Sequence, residues 1–259
     1  MDKGERAMKS TLYARLGALL LVVSAAAVSA ADEKGVVEAA MAAQDRLAAD
    51  LERDGREHPA TILALLNIGP GSRVADIFAG GGYYSELIGR VVAPDGVVLM
   101  HNNKPYVEFA AKGIAERFEG REVVSVVRHD REPDDLDLGE NILDAAMIVM
   151  SYHDLFYVDD SWPAIDADQF IDQIAAALKS GGRFLIVDHV AAAGSGNAAA
   201  QDLHRIDPAF ARQHIESRGL RYIAGSDALR RPEDDHTLFV FDPEIRGKTD
   251  RFVQVYEKP

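Results

Sequence analysis

Apolar and polar positions along the chain follow two patterns, one with the period of a helix and one of short apolar or alternating runs. Two leading helices are predicted first, one over residues 34–52 and one from Pro59 to Leu66. Short apolar or alternating segments follow, most of them separated by stretches of helical length. They predict strands at residues 73–78, 96–100, 123–128, 142–150, 183–187, 220–225 and 251–257.

Strands that alternate with helices predict a doubly wound α/β sheet, because neighbouring parallel strands need a crossover connection, usually a helix. The segment 251–257 alternates apolar and polar residues and has no helix before it. We therefore expect it to pair antiparallel at the edge of the sheet. The sequence thus predicts one domain over residues 31–259, with a mostly parallel seven-stranded sheet, helices on both faces and the leading helices at its start.

The first thirty residues have a different pattern. Four basic residues lie within residues 1–15, and an uncharged apolar run at 16–28 follows that is too short to span a bilayer. The run ends in small residues around Ser29, which is typical of a signal-peptidase site. We expect residues 1–30 to be a cleaved export signal, and the protein to be periplasmic or secreted, without stable membrane association. An uncleaved N-terminal anchor is the alternative.

Composition narrows the choice of function. The 259 residues include 28 Lys and Arg, 42 Asp and Glu and no Cys, giving a formal net charge of −14. Without cysteine there is no disulfide scaffold, thiolate zinc site, iron–sulfur cluster or cysteine nucleophile, so any metal would bind to His and carboxylates. The negative excess argues against a nucleic-acid partner, which calls for clustered basic residues. A small-molecule partner fits better.

A glycine turn after the first strand carries the strongest chemical signal. Residues 79–82 read Ala-Gly-Gly-Gly, and glycines in that position let a ligand lie against the backbone at the strand's carboxyl end. A dinucleotide fingerprint would need glycine where Ser85 stands and an acidic residue about 20 positions later. Residues 100–103, near that position, contain no carboxylate. Hydride transfer is therefore disfavoured, and a tight turn without a ligand stays open as an alternative.

The motif Asp76-x-x-x-Gly80-Gly81-Gly82 resembles the first motif of the class I S-adenosylmethionine-dependent methyltransferases. Residues 178–184, Leu-Lys-Ser-Gly-Gly-Arg-Phe, resemble the helix–turn–strand signature before the fifth strand of that fold. Residues 204–207, 235–237 and 246–252 resemble a group of exported predicted methyltransferases. The resemblance implies a Rossmann-like methyltransferase fold, S-adenosyl-L-methionine as the cofactor and methylation of a small molecule.

The resemblance also implies a set of cofactor-binding residues. The glycine turn would pass under the methionine part of the cofactor, with Asp76 ordering the turn or meeting the amino group. Asn102 and Asn103 stand where most relatives place a ribose-binding acid, so the charge-assisted part of that bond is missing. Asp130 stands where the family contacts adenine. The full set comprises Asp76, Ala79, Gly80, Gly81, Gly82, Tyr83, Asn102, Asn103, Asp130, Arg131 and Ser151.

Histidines give a second line of evidence. His101, His129, His153 and His189 lie at or just past the carboxyl ends of predicted strands, the edge where open α/β sheets bind ligands. A neutral imidazole can remove a proton from a methyl acceptor, so His153 and His189 are the preferred bases, oriented by a neighbouring aspartate. The predicted catalytic set comprises His153, Asp154, Asp188, His189, His204 and His236.

Two further expectations concern the surroundings of these histidines. The segment 229–250 is expected to close over the site as a lid that carries Asp235, His236, Arg246 and Lys248. Aromatic side chains are candidates for the walls of an acceptor pocket, namely Tyr83, Tyr84, Tyr152, Phe156, Tyr157 and Trp162.

A metal site is the rival interpretation of the histidines. It would draw on His153, Asp188, His189, His204 and His236, since mixed His and carboxylate ligands suit zinc or iron. No compact H-x-x-x-H or H-x-x-E-H spacing supports it, so the sequence assigns no metal ligands. The alternative function is accordingly an exported protein of the same fold that binds a small ligand or metal without methyl transfer. Ordinary loop histidines are the third interpretation.

Overall fold

The computed structural model describes residues 30–259, with side chains from residue 35 onward. The predicted export signal therefore lies, apart from Ala30, outside the described residues. Among the helices within this range, none is both long and apolar enough to cross a bilayer.

Seven strands form one sheet in the order β3-β2-β1-β4-β5-β7-β6, which confirms the predicted sheet. β1 to β5 pair in parallel, and β7 pairs antiparallel with both β5 and β6. The strands are β1 (Arg73–Ile77), β2 (Val97–Asn102), β3 (Val126–Asp130), β4 (Leu143–Val149), β5 (Leu178–His189), β6 (Arg221–Ser226) and β7 (Arg251–Glu257).

The last strand is antiparallel as predicted, but its expected place at the sheet edge is wrong. β7 lies between β5 and β6, and every residue from Arg251 to Tyr256 is buried. β6 is mostly half-exposed and forms the edge instead. The reason is burial, since Val253 and Val255 pack on one face of the sheet while Phe252 and Tyr256 pack on the other. A strand that is apolar on both faces is stabilised by neighbours on both sides.

The helices surround the sheet. They are α1 (Ala30–Met41), α2 (Ala48–Glu57), α3 (Pro59–Leu66), α4 (Tyr83–Val92), α5 (Lys104–Phe109), α6 (Ala111–Phe118), α7 (Ala167–Ala177), α8 (Ala200–Leu203) and α9 (Pro208–Ser217), with a 3₁₀ helix at His153–Phe156. The single helix predicted over residues 34–52 is two helices. Arg46 lies in the break, where it donates to the carbonyl of Met41 and forms a bidentate pair with Asp54 at 2.7 Å. This guanidinium satisfies a backbone carbonyl at the end of α1, and its pair with Asp54 holds α2 in a direction different from that of α1.

The core has one layer on each face of the sheet, because successive strand residues point to opposite sides. Val74 and Ala145 face a cluster that includes side chains of α3 and α4, whereas Ala75 and Ala146 face a cluster that includes α7 and α9. Strands buried on both faces are typical of a parallel sheet with helices on each side. The carboxyl ends of β1, β2, β4 and β5 therefore meet at one edge, between the helical layers.

Candidate active-site cleft

A cleft with two adjoining chambers, which share lining residues, lies at the carboxyl ends of β1, β4 and β5. The glycine chamber, of about 330 Å³, is lined by residues 79–81 and by Arg53, Ser151 and His189, among others. The histidine chamber, of about 210 Å³, is lined by Asp154, Tyr157, Trp162 and His204, among others. Residues that line both chambers are Tyr106, Phe109, Met150, His153 and Phe241. A ligand in one chamber would therefore lie directly beside a ligand in the other.

The glycine turn forms an open cradle in its chamber. Gly80 has a φ of +57°, and a Cβ built on it meets no atom within 4 Å, so the space above its backbone is free. At Gly81 a Cβ would lie 3.4 Å from the Cα of Gly113, so the turn is packed closely against α6. A side chain at Gly80 would fill the chamber, which is the property expected of a turn that carries a ligand.

Asn102 holds the glycine turn in place. Its Oδ1 accepts from the amide of Gly80 at 2.9 Å, and its Nδ2 donates to the Gly80 carbonyl at 3.0 Å. Asn103 begins α5 by accepting from the amide of Tyr106 at 3.1 Å. Both asparagines are buried and neither lines the glycine chamber. The amide atoms expected at a ribose are thus engaged within the protein.

Asp76, near the end of β1, is bonded to the start of α4. Its carboxylate is buried, accepts from the hydroxyl of Ser85 at 2.6 Å and does not line the chamber. Burial raises the pKa of this carboxyl to about 6, although the Ser85 hydrogen bond and nearby arginines oppose the rise. The carboxylate is therefore bonded to the first turn of α4 and lies outside the lining of the glycine chamber.

Four other predicted cofactor residues lie outside the chamber lining. Gly82 is the N-cap of α4, and the Tyr83 hydroxyl donates to Asp54 at 2.7 Å. Asp130 pairs with Arg128 at the outer strand β3, and Arg131 pairs with Asp137 on the surface. By contrast, Ala79, Gly80, Gly81 and Ser151 line the glycine chamber as expected.

Arg53 is a cleft residue that the sequence did not single out. It lies on α2 with its guanidinium 4.3 Å above the Tyr83 ring and 3.4 Å from a carboxylate oxygen of Glu57. Its Nε is buried and makes no hydrogen bond among the described residues. Arg117 fixes α2 here, because it bonds Asp50 of α2 as well as Glu86 and the Gly81 carbonyl. The buried Nε is the atom that approaches Glu57, and the guanidinium places a positive charge in the lining of the glycine chamber.

The histidine chamber contains a closely bonded cluster. Asp188, fully buried at the end of β5, accepts from the amide and from Nδ1 of His153, both at 2.8 Å. The Nε2 of His153 lies 3.2 Å from Oδ1 of Asp154 and 3.1 Å from Nδ1 of His204. The Tyr106 hydroxyl donates to the other oxygen of Asp154 at 2.7 Å. The structure thus brings four of the six predicted catalytic residues together through their side chains, and the amide of a fifth, His189, also donates to Asp188 at 2.7 Å.

The two preferred base candidates differ in protonation. Burial lowers the pKa of His153, but the carboxylates of Asp154 and Asp188 outweigh burial and raise this pKa to about 10. His153 is therefore an imidazolium at neutral pH, which conflicts with its expected role as a base. Burial and the neighbouring positive charges hold the pKa of His189 well below its usual range. His189 is neutral, and its Nδ1 is bonded to the Thr249 hydroxyl at 2.8 Å, which leaves Nε2 for a ligand.

His236, the sixth predicted catalytic residue, lies away from the chambers. Its Nε2 is 3.1 Å from a carboxylate oxygen of Asp250, which also pairs with Arg230. The segment 229–250 reaches the cleft with Val240 and Phe241 rather than with Asp235, His236, Arg246 and Lys248. The buried Arg205 holds this segment through a bidentate pair with Asp234. The expected lid is therefore present as an anchored wall that contributes apolar side chains.

Aromatic side chains enclose the cleft, but only some are the predicted ones. Tyr157 and Trp162 line the histidine chamber as expected, whereas Tyr152 and Phe156 pack around His214. Tyr83 and Tyr84 lie in the core on the other face of the sheet. Tyr106, Phe109 and Phe241 were missed by the sequence reasoning. An aromatic residue in the first turn of the helix after β2 was a usable signal for Tyr106, because that turn faces the ligand edge.

The fold of this chain is similar to the folds of several solved structures. An S-adenosylmethionine-dependent methyltransferase from Aquifex aeolicus is similar over 79% of this chain and 92% of its own, with 15% identity and a TM-score of 0.55. One from Mesorhizobium loti is similar over 80% of this chain and all of its own, with 14% identity and a TM-score of 0.54. The chain has the class I methyltransferase fold. No protein-family model matches the sequence, and no curated protein matches it significantly.

The methyltransferase fold does not by itself fix the reaction. The cyclase SpnF is similar over 82% of this chain and 81% of its own, with 17% identity and a TM-score of 0.53. Function is therefore argued from the groups in the cleft.

Proposed function

We propose that the protein is an S-adenosylmethionine-dependent methyltransferase that acts on a small molecule. The observation that carries the proposal is the open backbone of Gly80 and the guanidinium of Arg53 in the lining of one chamber, next to a second chamber with aromatic walls. S-adenosylmethionine, when bound, supplies a methyl group on a sulfonium that is already activated for transfer. The protein's own task is then to align the acceptor and remove its proton.

The methionine end of the cofactor fits the glycine chamber. Arg53 lines this chamber and offers a guanidinium, whose planar array of N–H donors matches a carboxylate. The free space at Gly80 lets the ligand approach the backbone closely. At the ribose end no carboxylate follows β2, and Asn102 is already engaged with Gly80. Binding energy is therefore concentrated at the methionine end.

The acceptor fits the histidine chamber. Tyr157, Trp162 and Phe241 provide apolar walls for a small molecule. His189 lines the neighbouring chamber and is neutral, so its Nε2 can accept a proton from a hydroxyl or amine at the junction. Thr249 holds that imidazole through Nδ1.

Calorimetry with S-adenosylhomocysteine tests the proposal on the protein from residue 31 onward. We expect binding by the wild type and a 10- to 100-fold weaker affinity for Arg53→Met, since a hydrogen bond to a charged group contributes about 1.5–3 kcal/mol. His236→Gln is the matched control and should bind as the wild type does, because His236 lies outside both chambers. An absence of binding by the wild type at millimolar ligand would contradict the proposal.

We also propose that residues 1–30 direct export to the periplasm or the exterior. The basic start, the short apolar run and the small residues before Ala31 support this. Mass spectrometry of the protein from a periplasmic fraction should give a mature chain that begins at Ala31. An intact chain starting at Met1 and confined to the cytoplasm would contradict it.

A further inference from the structure

We propose that His153, Asp154 and His204 bind one divalent transition-metal ion in the histidine chamber. Within the part of the chain that the structure describes, these three residues form the group whose ligand atoms lie close enough to share an ion. The ligand atoms are Nε2 of His153, Oδ1 of Asp154 and Nδ1 of His204. All three residues line the histidine chamber, so an ion there would be reached from the cleft.

The distances between the ligand atoms match a metal ion. His153 Nε2 lies 3.2 Å from Asp154 Oδ1 and 3.1 Å from His204 Nδ1, and the third side of the triangle is 3.4 Å. An ion bonded to all three at about 2.0–2.1 Å would require separations of roughly 2.9 Å for octahedral and 3.4 Å for tetrahedral angles. The observed triangle lies within this range. The ion would sit about 0.8 Å out of its plane, which leaves further coordination positions free.

A second layer of hydrogen bonds orients two of the ligands. Asp188 accepts from Nδ1 of His153, and this bond leaves Nε2 as the atom that binds the ion, which would displace the Nε2 proton of the imidazolium. Tyr106 donates to Oδ2 of Asp154, which leaves Oδ1 directed at the two imidazoles. A carboxylate behind a ligand histidine is the usual companion of metal sites, because it fixes the ring and makes it more basic.

His204 reaches the site through an uncommon backbone conformation. It ends α8 with a φ of +52°, in the left-handed region that non-glycine residues rarely adopt. Its ring packs against Tyr157, with 4.7 Å between the ring centroids. This arrangement brings Nδ1 to a residue 51 positions away in the sequence.

The three ligands indicate which ion would bind, and the chamber around them indicates which kind of molecule the ion would bind in turn. Two imidazoles and one carboxylate suit Zn²⁺ or Fe²⁺, whereas Mg²⁺ and Ca²⁺ prefer oxygen ligands. The free positions face a chamber walled by Tyr157, Trp162 and Phe241. They would accept an oxygen or nitrogen donor of a small, largely apolar molecule. The ion would share the histidine chamber with the proposed acceptor, but its three ligands are not Arg53, Gly80 or His189, so metal binding and cofactor binding are tested separately.

Metal titration of chelator-stripped protein tests the site. The wild type should bind one Zn²⁺ per chain and show no comparable binding of Mg²⁺. His204→Gln and Asp154→Asn should each weaken Zn²⁺ binding by more than about 100-fold, since each removes a ligand. Asp188→Asn should weaken it by about 10- to 100-fold, because Asp188 only positions His153.

His236→Gln is the matched control, because its imidazole also faces a buried aspartate but lies outside the chamber. Its Zn²⁺ affinity should equal that of the wild type. Circular dichroism establishes that each variant is folded, and the visible spectrum of bound Co²⁺ reports the loss of a ligand in whichever variant folds. An absence of stoichiometric binding by the wild type, equal binding of Mg²⁺, or an unchanged affinity in both ligand variants would each overturn the proposal.

Discussion

Asp76→Asn should change how the stability of the protein depends on pH. Burial raises the pKa of the Asp76 carboxyl from 3.8 to about 6. A carboxyl whose pKa is raised in the native state stabilises the fold at low pH, and this contribution is lost as the pH rises from about 4 through about 6. At about 1.4 kcal/mol per pH unit between the two values, ionisation costs the native state about 3 kcal/mol at neutral pH.

Asparagine has nearly the same shape, can still accept from the Ser85 hydroxyl and does not ionise. The free energy of unfolding of Asp76→Asn should therefore rise relative to that of the wild type, by about 2 kcal/mol between pH 4 and pH 7. Urea unfolding of both proteins at several pH values in this interval measures the difference. Ser85→Ala removes a donor that stabilises the carboxylate, so it should steepen the loss of stability with pH. A wild-type-to-variant difference that stays constant across the interval would refute the reasoning.

Two further predictions concern packing and the glycine turn. Gly89→Ala should destabilise the fold by about 1–3 kcal/mol, because a Cβ there would lie 2.4 Å from the Val124 carbonyl oxygen. Gly35→Ala is the control: no atom lies within 4 Å of the new Cβ, so the free energy of unfolding should be unchanged or raised. Urea unfolding measures both variants, and an equal loss of stability in the two would contradict the packing argument. Asn102→Ala should speed amide hydrogen exchange at Gly80, because it removes both hydrogen bonds between Asn102 and Gly80. An unchanged exchange rate would show that the glycine turn keeps its conformation without Asn102.

The strands of the sheet could be predicted from the sequence because each strand is marked by the residues of its own segment. Apolar runs mark the strands, and the glycines at residues 80–82 follow the end of β1. The position of β7 could not be predicted in the same way, because strand order depends on which faces other elements cover. The break between α1 and α2 depends on Arg46 and Asp54, eight positions apart, whose pairing is not visible in the apolar spacing.

The cleft was predicted in outline rather than in its contacts. The rule that ligands bind at the carboxyl edge of a parallel sheet identified His153 and His189. The rule does not predict the hydrogen bond between Asp188 and His153. Nor does it predict that the carboxylates of Asp154 and Asp188 raise the pKa of His153 and keep it charged. Arg53 was missed because α2 precedes the sheet in the chain and reaches the glycine turn only through the tertiary contacts of Arg117.

A crystal structure of the protein with S-adenosylhomocysteine tests the central claim most directly. We expect the amino-acid end of the ligand to lie against the backbone of Gly80, with its carboxylate on the guanidinium of Arg53. Its sulfur should face the junction with the histidine chamber, near His189. A saturated crystal with no ligand in the glycine chamber, or with the ligand bound elsewhere, would contradict the account.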